Sequence, residues 1–138
     1  MINFPIYLDN NSTTRVDPAV VDAMLPYFSE HYGNSSSKSH EFGWKAEAAV
    51  QHARSLAARL LNCEPRDIIF TSGATESINL AIKGTAEMYG AKGNHIITTQ
   101  IEHEAVLDSC KNLERKGYEI TYVKVNSGGI VDPQDVAA

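Results

Sequence analysis

Two short segments hold residue types that could do chemistry at a shared site. The first, Thr71-Ser72-Gly73-Ala74-Thr75-Glu76, follows the apolar Ile68-Ile69-Phe70 and leads into an amphipathic run. Small residues let backbone approach a ligand, the free N–H groups of a first helical turn point outward, and Thr75 adds a hydroxyl. This pattern fits phosphate binding at a helix start, and equally an ordinary Ser/Thr-capped helix. Glu76 leans toward the second reading, since a carboxylate in the first turn already complements the helix dipole and would repel an anion. No G-x-x-x-x-G-K-[ST] motif occurs, which disfavours a nucleotide triphosphatase. The second segment is Gln100-Ile101-Glu102-His103-Glu104, after His95-Ile96-Ile97-Thr98-Thr99. A histidine at such a junction could act as general acid and base or stack on a planar cofactor. It could also be a solvated histidine near a helix start. If the preceding segments are neighbouring parallel strands, Thr75 and His103 emerge on one rim, since ligands collect at the carboxyl ends of such strands. A phosphate site beside an imidazole suits a phosphorylated aromatic cofactor.

Other constellations are weaker. His40 with Glu41, and His103 with Glu104, lack metal-ligand spacing and a third ligand, so no metal site is expected. Cys110 lies on an apolar helix stripe and should pack in the core. Cys63 follows a helix end, where a reactive thiolate would need an electropositive setting. Lys38 sits in Ser37-Lys38-Ser39-His40 and reads as a solvated loop lysine, because nothing apolar surrounds it to activate its amine.

The elements that would position these residues follow from periodicity. Asp17-Pro18 is a helix start, and Val20, Val21, Met24, Leu25 and Phe28 recur at helical spacing, with Pro26 inside the pattern, where it should kink or end the helix. Gly33 to Ser39 is a loop by composition. From Glu41 to Asn62, Ala46, Ala49, Val50, Ala53, Leu56, Ala57, Leu60 and Leu61 form one apolar stripe. An alternation follows: a short buried strand at Ile68–Thr71, a helix over Thr75–Tyr89, a strand at His95–Thr99, a helix over Glu104–Lys116 and a strand at Glu119–Val125. Gly128-Gly129 makes a turn, and Asp132-Pro133 opens a last helix. Strand-helix alternation predicts an α/β fold with a mostly parallel sheet.

Composition bounds the function. The chain has 138 residues, 43% of them hydrophobic and 21% charged, with 12 basic and 17 acidic residues for a net charge of -5. A mildly acidic chain without a basic stripe is a poor nucleic-acid or anionic-membrane binder. No apolar run approaches the roughly 18 residues of a membrane span, and the start lacks the features of a signal peptide. Two cysteines make no disulfide framework. A soluble, cytoplasmic protein is expected.

The motifs together resemble a family. Tyr7-Leu8-Asp9-Asn10-Asn11-Ser12-Thr13-Thr14, Gly33-Asn34 through Ser39-His40 with Phe42-Gly43-Trp44, Ile68 through Ala81, and Glu102-His103-Glu104-Ala105-Val106-Leu107 look like the pyridoxal-phosphate cysteine desulfurases of the class V aminotransferase superfamily, iron-sulfur-cluster and nitrogen-fixation type. Selenocysteine lyases share much of the pattern. The resemblance implies the three-layer α/β fold of pyridoxal-phosphate transferases (fold type I), here incomplete. Residues 1–16 would form an N-terminal extended segment and residues 17–138 the N-terminal portion of the cofactor-binding large domain. It implies that Ala74 and Thr75 bind the cofactor phosphate, and that His103 stacks on the pyridine ring and moves protons. The polar run Asp9–Thr14 would pass near the substrate, and the loop from Gly33 to Gly43 would approach the active centre. Ser12 stands where the family more often has Ala, and Arg15 where Pro is frequent.

The implied activity is removal of sulfur from L-cysteine, leaving alanine and an enzyme persulfide for iron-sulfur cluster or thio-cofactor assembly. The implied partners are a second copy of the chain and a scaffold or other sulfur acceptor. None of this chain's lysines matches the family's cofactor-binding lysine, and neither Cys63 nor Cys110 matches its persulfide-forming cysteine. The chain therefore resembles the first third of such an enzyme, expected to be inactive alone and prone to associate through exposed apolar faces. The rival expectation is a non-catalytic fragment or split subunit that acts by association.

Overall fold

A computed structural model describes residues 5–137; the start of the expected N-terminal segment and Ala138 lie outside the described residues. Contacts divide the chain into two units, residues 1–69 and 70–138.

In the first unit, α1 spans Pro18–Met24, with the Asp17 carboxylate accepting from the Ala19 N–H at 2.8 Å. Pro26 cannot donate to the preceding turn, so α1 stops and α2, Pro26–Ser29, begins with that proline at its first position. α3 spans Glu41–Leu61 and ends on Asn62, whose φ of 54° is the left-handed stop that Asn tolerates. A short 3-10 turn follows at Pro65–Asp67. The apolar stripe of α3 exists, but the unit covers little of it. Ala46 is buried, whereas Leu56, Leu60 and Leu61 are exposed. The helix and its stripe are as the periodicity predicts, but α1 and α2 are too short to cover its six turns.

The second unit opens with Phe70 and holds α4 (Ala74–Tyr89), β1 (His95–Thr99), α5 (Glu104–Glu114), β2 (Glu119–Val123) and α6 (Pro133–Ala137). β1 and β2 pair in parallel, His95 opposite Glu119 and Thr99 opposite Val123, with α5 as the crossover between them. The core is small: Ala86, Cys110, Leu113 and Val123 are buried, so Cys110 packs as its place on the stripe predicts. Between β2 and α6, the Asn126 side chain accepts from the N–H groups of Gly128 and Ile130 and shapes the Gly128-Gly129 turn.

One expected strand is absent. Ile68–Thr71 makes no ladder, and Ile69 and Phe70 are 65% and 52% exposed rather than buried. Ile68 has the extended φ and ψ of a strand, -85° and 124°, and its carbonyl accepts from Arg54. A strand is defined by its pairing, and among the described residues the ladder joins β1 to β2 alone. The third strand also stops at Val123, two residues short of the expected end.

Candidate active site

The two segments singled out for chemistry each begin a helix of the second unit, and they are built differently. Gly73 caps α4 without a side chain. Among the described residues, the N–H groups of Ala74 and Thr75 and the Thr75 hydroxyl have no hydrogen-bond partner. A Cβ added at Gly73 would meet nothing within 4 Å, so open space adjoins these donors. The neighbouring side chains turn elsewhere. Thr71 and Ser77 join hydroxyls at 2.6 Å, and Glu76 accepts from the Ser72 N–H at 2.6 Å and from its hydroxyl at 2.7 Å. These two bonds hold the Glu76 carboxyl below its ordinary range. The carboxylate thus braces the residue before the turn and leaves the donors of Ala74 and Thr75 unblocked.

His103 caps α5. Its Nδ1 accepts from the Ala105 N–H at 3.1 Å, which places the hydrogen of the neutral ring on the exposed Nε2. Ahead of it, the Thr99 hydroxyl donates to Glu102 at 3.3 Å, and the Gln100 N–H donates to the Val123 carbonyl at 3.1 Å, continuing the sheet pairing past β1. His103 therefore stands at the carboxyl end of β1, where open parallel sheets bind ligands.

Two contacts show that α4 and α5 run in the same direction. In the first half of α4, Asn79 Oδ1 lies 3.3 Å from Ser109 Oγ, midway along α5; in the last turn of α4, the Ala86 carbonyl accepts at 2.6 Å from the hydroxyl of Tyr118, which lies beyond the end of α5. Asn79 is about one turn after Thr75, and Ser109 fewer than two turns after His103. Gly73–Thr75 and His103 therefore head the same end of the helical layer. Three donors beside open space, with a free imidazole N–H at the same end, suit an anionic group carried on a flat ring. All of these residues are exposed, and none lines the unit's apolar groove of about 350 Å³ near Ile82, Tyr89, His95 and Tyr118.

The other sequence candidates belong to the first unit. Cys63 is exposed and free. Lys38 is not simply solvated: it pairs with Glu47, and its carbonyl accepts from the Trp44 indole at 2.7 Å. The run Asp9–Thr14 forms a turn in which Tyr7 donates to the Asp9 carbonyl at 2.7 Å. No cluster of three or more metal-ligating side chains occurs among the described residues, and no described helix is long and apolar enough to cross a membrane. Sequence reasoning missed Asn79 and Ser109. The available signal was Asn79 itself, a residue that weakens a helix interior unless its amide bonds something, placed one turn after Thr75.

The model of the family "Aminotransferase class-V" matches residues 6–138. The chain belongs to that family. "Cysteine desulfurase IscS" of Rickettsia felis is 57% identical over 130 residues, covering 94% of this chain and 32% of that protein. Among solved structures, a NifS-like protein matches with TM-score 0.85 and 43% identity, over 92% of this chain and 35% of its own. "SspA in complex with cysteine" matches with TM-score 0.81 and 38% identity, over 91% and 36%. The resemblance to cysteine desulfurases holds, as does an α/β fold with parallel strands, shared with 35% and 36% of the lengths of these two structures. The chain spans about a third of the length of the curated relatives it matches.

Proposed function

We propose that this chain contributes the phosphate-binding turn and the proton-moving histidine of a pyridoxal-phosphate-dependent cysteine desulfurase. The enzyme would take sulfur from L-cysteine, leave alanine, and pass a persulfide to an iron-sulfur scaffold or other acceptor as a cytoplasmic homodimer. The observation that carries this reading is the common end of α4 and α5, where unpartnered donors of Ala74 and Thr75 accompany the free Nε2 of His103. The relatives named as cysteine desulfurases support it.

Bound pyridoxal phosphate would supply an electron sink for bonds broken at the substrate. The residues here would do the rest of the holding. The N–H groups of Ala74 and Thr75 and the Thr75 hydroxyl would grip phosphate oxygens, with the positive end of the α4 dipole behind them. Anchoring one end of the cofactor fixes its ring against His103 while reaction proceeds at the other. In its capped, neutral form His103 presents a hydrogen at Nε2 as a hydrogen-bond donor; it gives up a proton only as the imidazolium, whose protonated Nδ1 no longer accepts from Ala105. To take up a proton at Nε2, the neutral ring must carry its hydrogen on Nδ1 and release the Ala105 N–H. That bond is worth about 1 kcal/mol net, a small cost beside a catalytic barrier.

The test is complementation. Purified chain mixed with pyridoxal phosphate and then freed of unbound cofactor by gel filtration should be colourless; with a polypeptide that supplies the family's lysine and cysteine, the filtered protein should stay yellow and release sulfide from cysteine. Colour and turnover from the 138 residues alone would overturn the reading that the lysine lies elsewhere. His103→Ala in the reconstituted pair should cut sulfide release by about 10²-fold or more; an unchanged rate removes the histidine's role. Faster release from selenocysteine than from cysteine would favour a selenocysteine lyase. Association is the second reading, favoured by exposed Phe28, Leu60 and Met88 at 74%, 86% and 75%. Tight binding of the complement without turnover would support it.

A further inference from the structure

We infer that Asn79 is a positioning residue, linking the Ala74–Thr75 turn to the His103 cap through Ser109. The inference rests on the proposed role of that turn and histidine. Asn79 Nδ2 donates to the Thr75 carbonyl at 2.9 Å, so the side chain grips the residue whose N–H and hydroxyl would bind phosphate. Its Oδ1 meets the Ser109 hydroxyl at 3.3 Å and also accepts from Lys83, which fixes the orientation of the amide. Ser109 is 2% exposed, and its single hydroxyl hydrogen is shared between two acceptors, chiefly the Ala105 carbonyl at 2.7 Å and more weakly Asn79 Oδ1. Ala105 is the residue whose N–H holds His103 Nδ1. A continuous path thus runs from Thr75 through Asn79, Ser109 and Ala105 to the imidazole, across two helices joined by no chain segment shorter than β1 and its loops. Such buried or half-buried polar contacts fix the spacing of elements more sharply than apolar packing, because a displaced donor is left unpaired. Any anion that tightens the Thr75 turn should then be felt at the Ala105–His103 bond.

The test reads amide and imidazole ¹⁵N resonances of the full chain, with inorganic phosphate as probe. In the unmodified chain, phosphate should shift Ala74 and Thr75, and shift Ala105 and the His103 ring with the same midpoint. In Asn79→Ala and in Ser109→Ala, the Ala74 and Thr75 shifts should persist while the Ala105 and His103 response falls at least threefold. Without phosphate, both substitutions should speed hydrogen exchange at Ala105 by about fivefold, and the double variant no further. Ser109→Ala keeps a strong helix former in place, so it remains informative if Asn79→Ala unfolds. An undiminished His103 response in the variants, or unchanged Ala105 exchange, overturns the linkage. Absence of any phosphate shift at Ala74 and Thr75 in the unmodified chain instead overturns the phosphate-site reading, and the exchange rates then decide the linkage alone.

Discussion

The starts of α3 and α4 solve the same problem in opposite ways. Both helices leave first-turn N–H groups without helical partners. At α3 the chain closes over them: His40 Nδ1 accepts from the Gly43 N–H at 3.2 Å, and the preceding loop is tied down by the Asn34 side chain and the Trp44 indole. Gly43 is buried there, and a Cβ on it would lie 2.0 Å from the Ser37 carbonyl oxygen. At α4 the cap is Gly73, with nothing within 4 Å of an added Cβ and no side chain on the donors that follow. One glycine is required by the protein's own packing. The other is not, and its smallness serves whatever approaches from outside.

The sharpest way to break this contrast is to add the same methyl group at both glycines. Gly43→Ala should destabilise the chain by about 2–3 kcal/mol, since backbone cannot move aside cheaply, despite the better helix propensity of alanine. Gly73→Ala should lie within about 0.5 kcal/mol of the unmodified chain, yet weaken binding of phosphate or cofactor. Urea midpoints give the first comparison and amide shifts at Thr75 the second. Equal stability losses at the two positions would mean the α4 start is closed by protein after all.

The contrast also marks what could be read from the sequence. Helices were legible because their signals are local. Asp17-Pro18, Pro26 and the 3.6-residue stripe of α3 each act within a turn or two of themselves. The strand expected at Ile68–Thr71 was not, because strand status depends on a neighbour that a local apolar run cannot specify. At the candidate site, Gly73 to Thr75 and His103 stood out by residue type. The bond from His103 to the Ala105 N–H did not, since histidine is an uncommon cap; His40 was likewise missed in that role. The Asn79–Ser109 contact joins residues 30 apart in the chain and exists only once the helices pack.

A smaller effect separates the two starts by function. Thr75→Val keeps the shape and removes the hydroxyl, so phosphate affinity should drop about tenfold, the scale of one bond to a charged group, with the urea midpoint unmoved. His40→Ala should do the reverse: lose about 1 kcal/mol of stability as a removed cap, with phosphate binding untouched. A Thr75→Val chain that binds phosphate normally would leave only the backbone donors as a site.

The smallest expected effect distinguishes the carboxylates of the two first turns. Glu41, in α3, is held below the ordinary value of 4.5 first by its hydrogen bond and then by the charge of Lys45, at 2.7 Å. Glu76, in α4, is held below the same value by the hydroxyl and N–H of Ser72, which carry no charge. In both cases the folded carboxyl titrates below the unfolded one. Each contribution is therefore present above pH 4.5 and is lost as pH falls through the folded value. Salt should tell them apart. At about 1 M ionic strength the Debye length shrinks to roughly 3 Å, so the Lys45 effect on Glu41 should weaken while the Ser72 effect on Glu76 persists. Carboxyl ¹³C titrations at low and high salt measure both in one sample. Equal salt sensitivity would show that Glu76 answers to a nearby cation rather than to Ser72, and that the α4 start carries charge that the bare-donor description of its site leaves out.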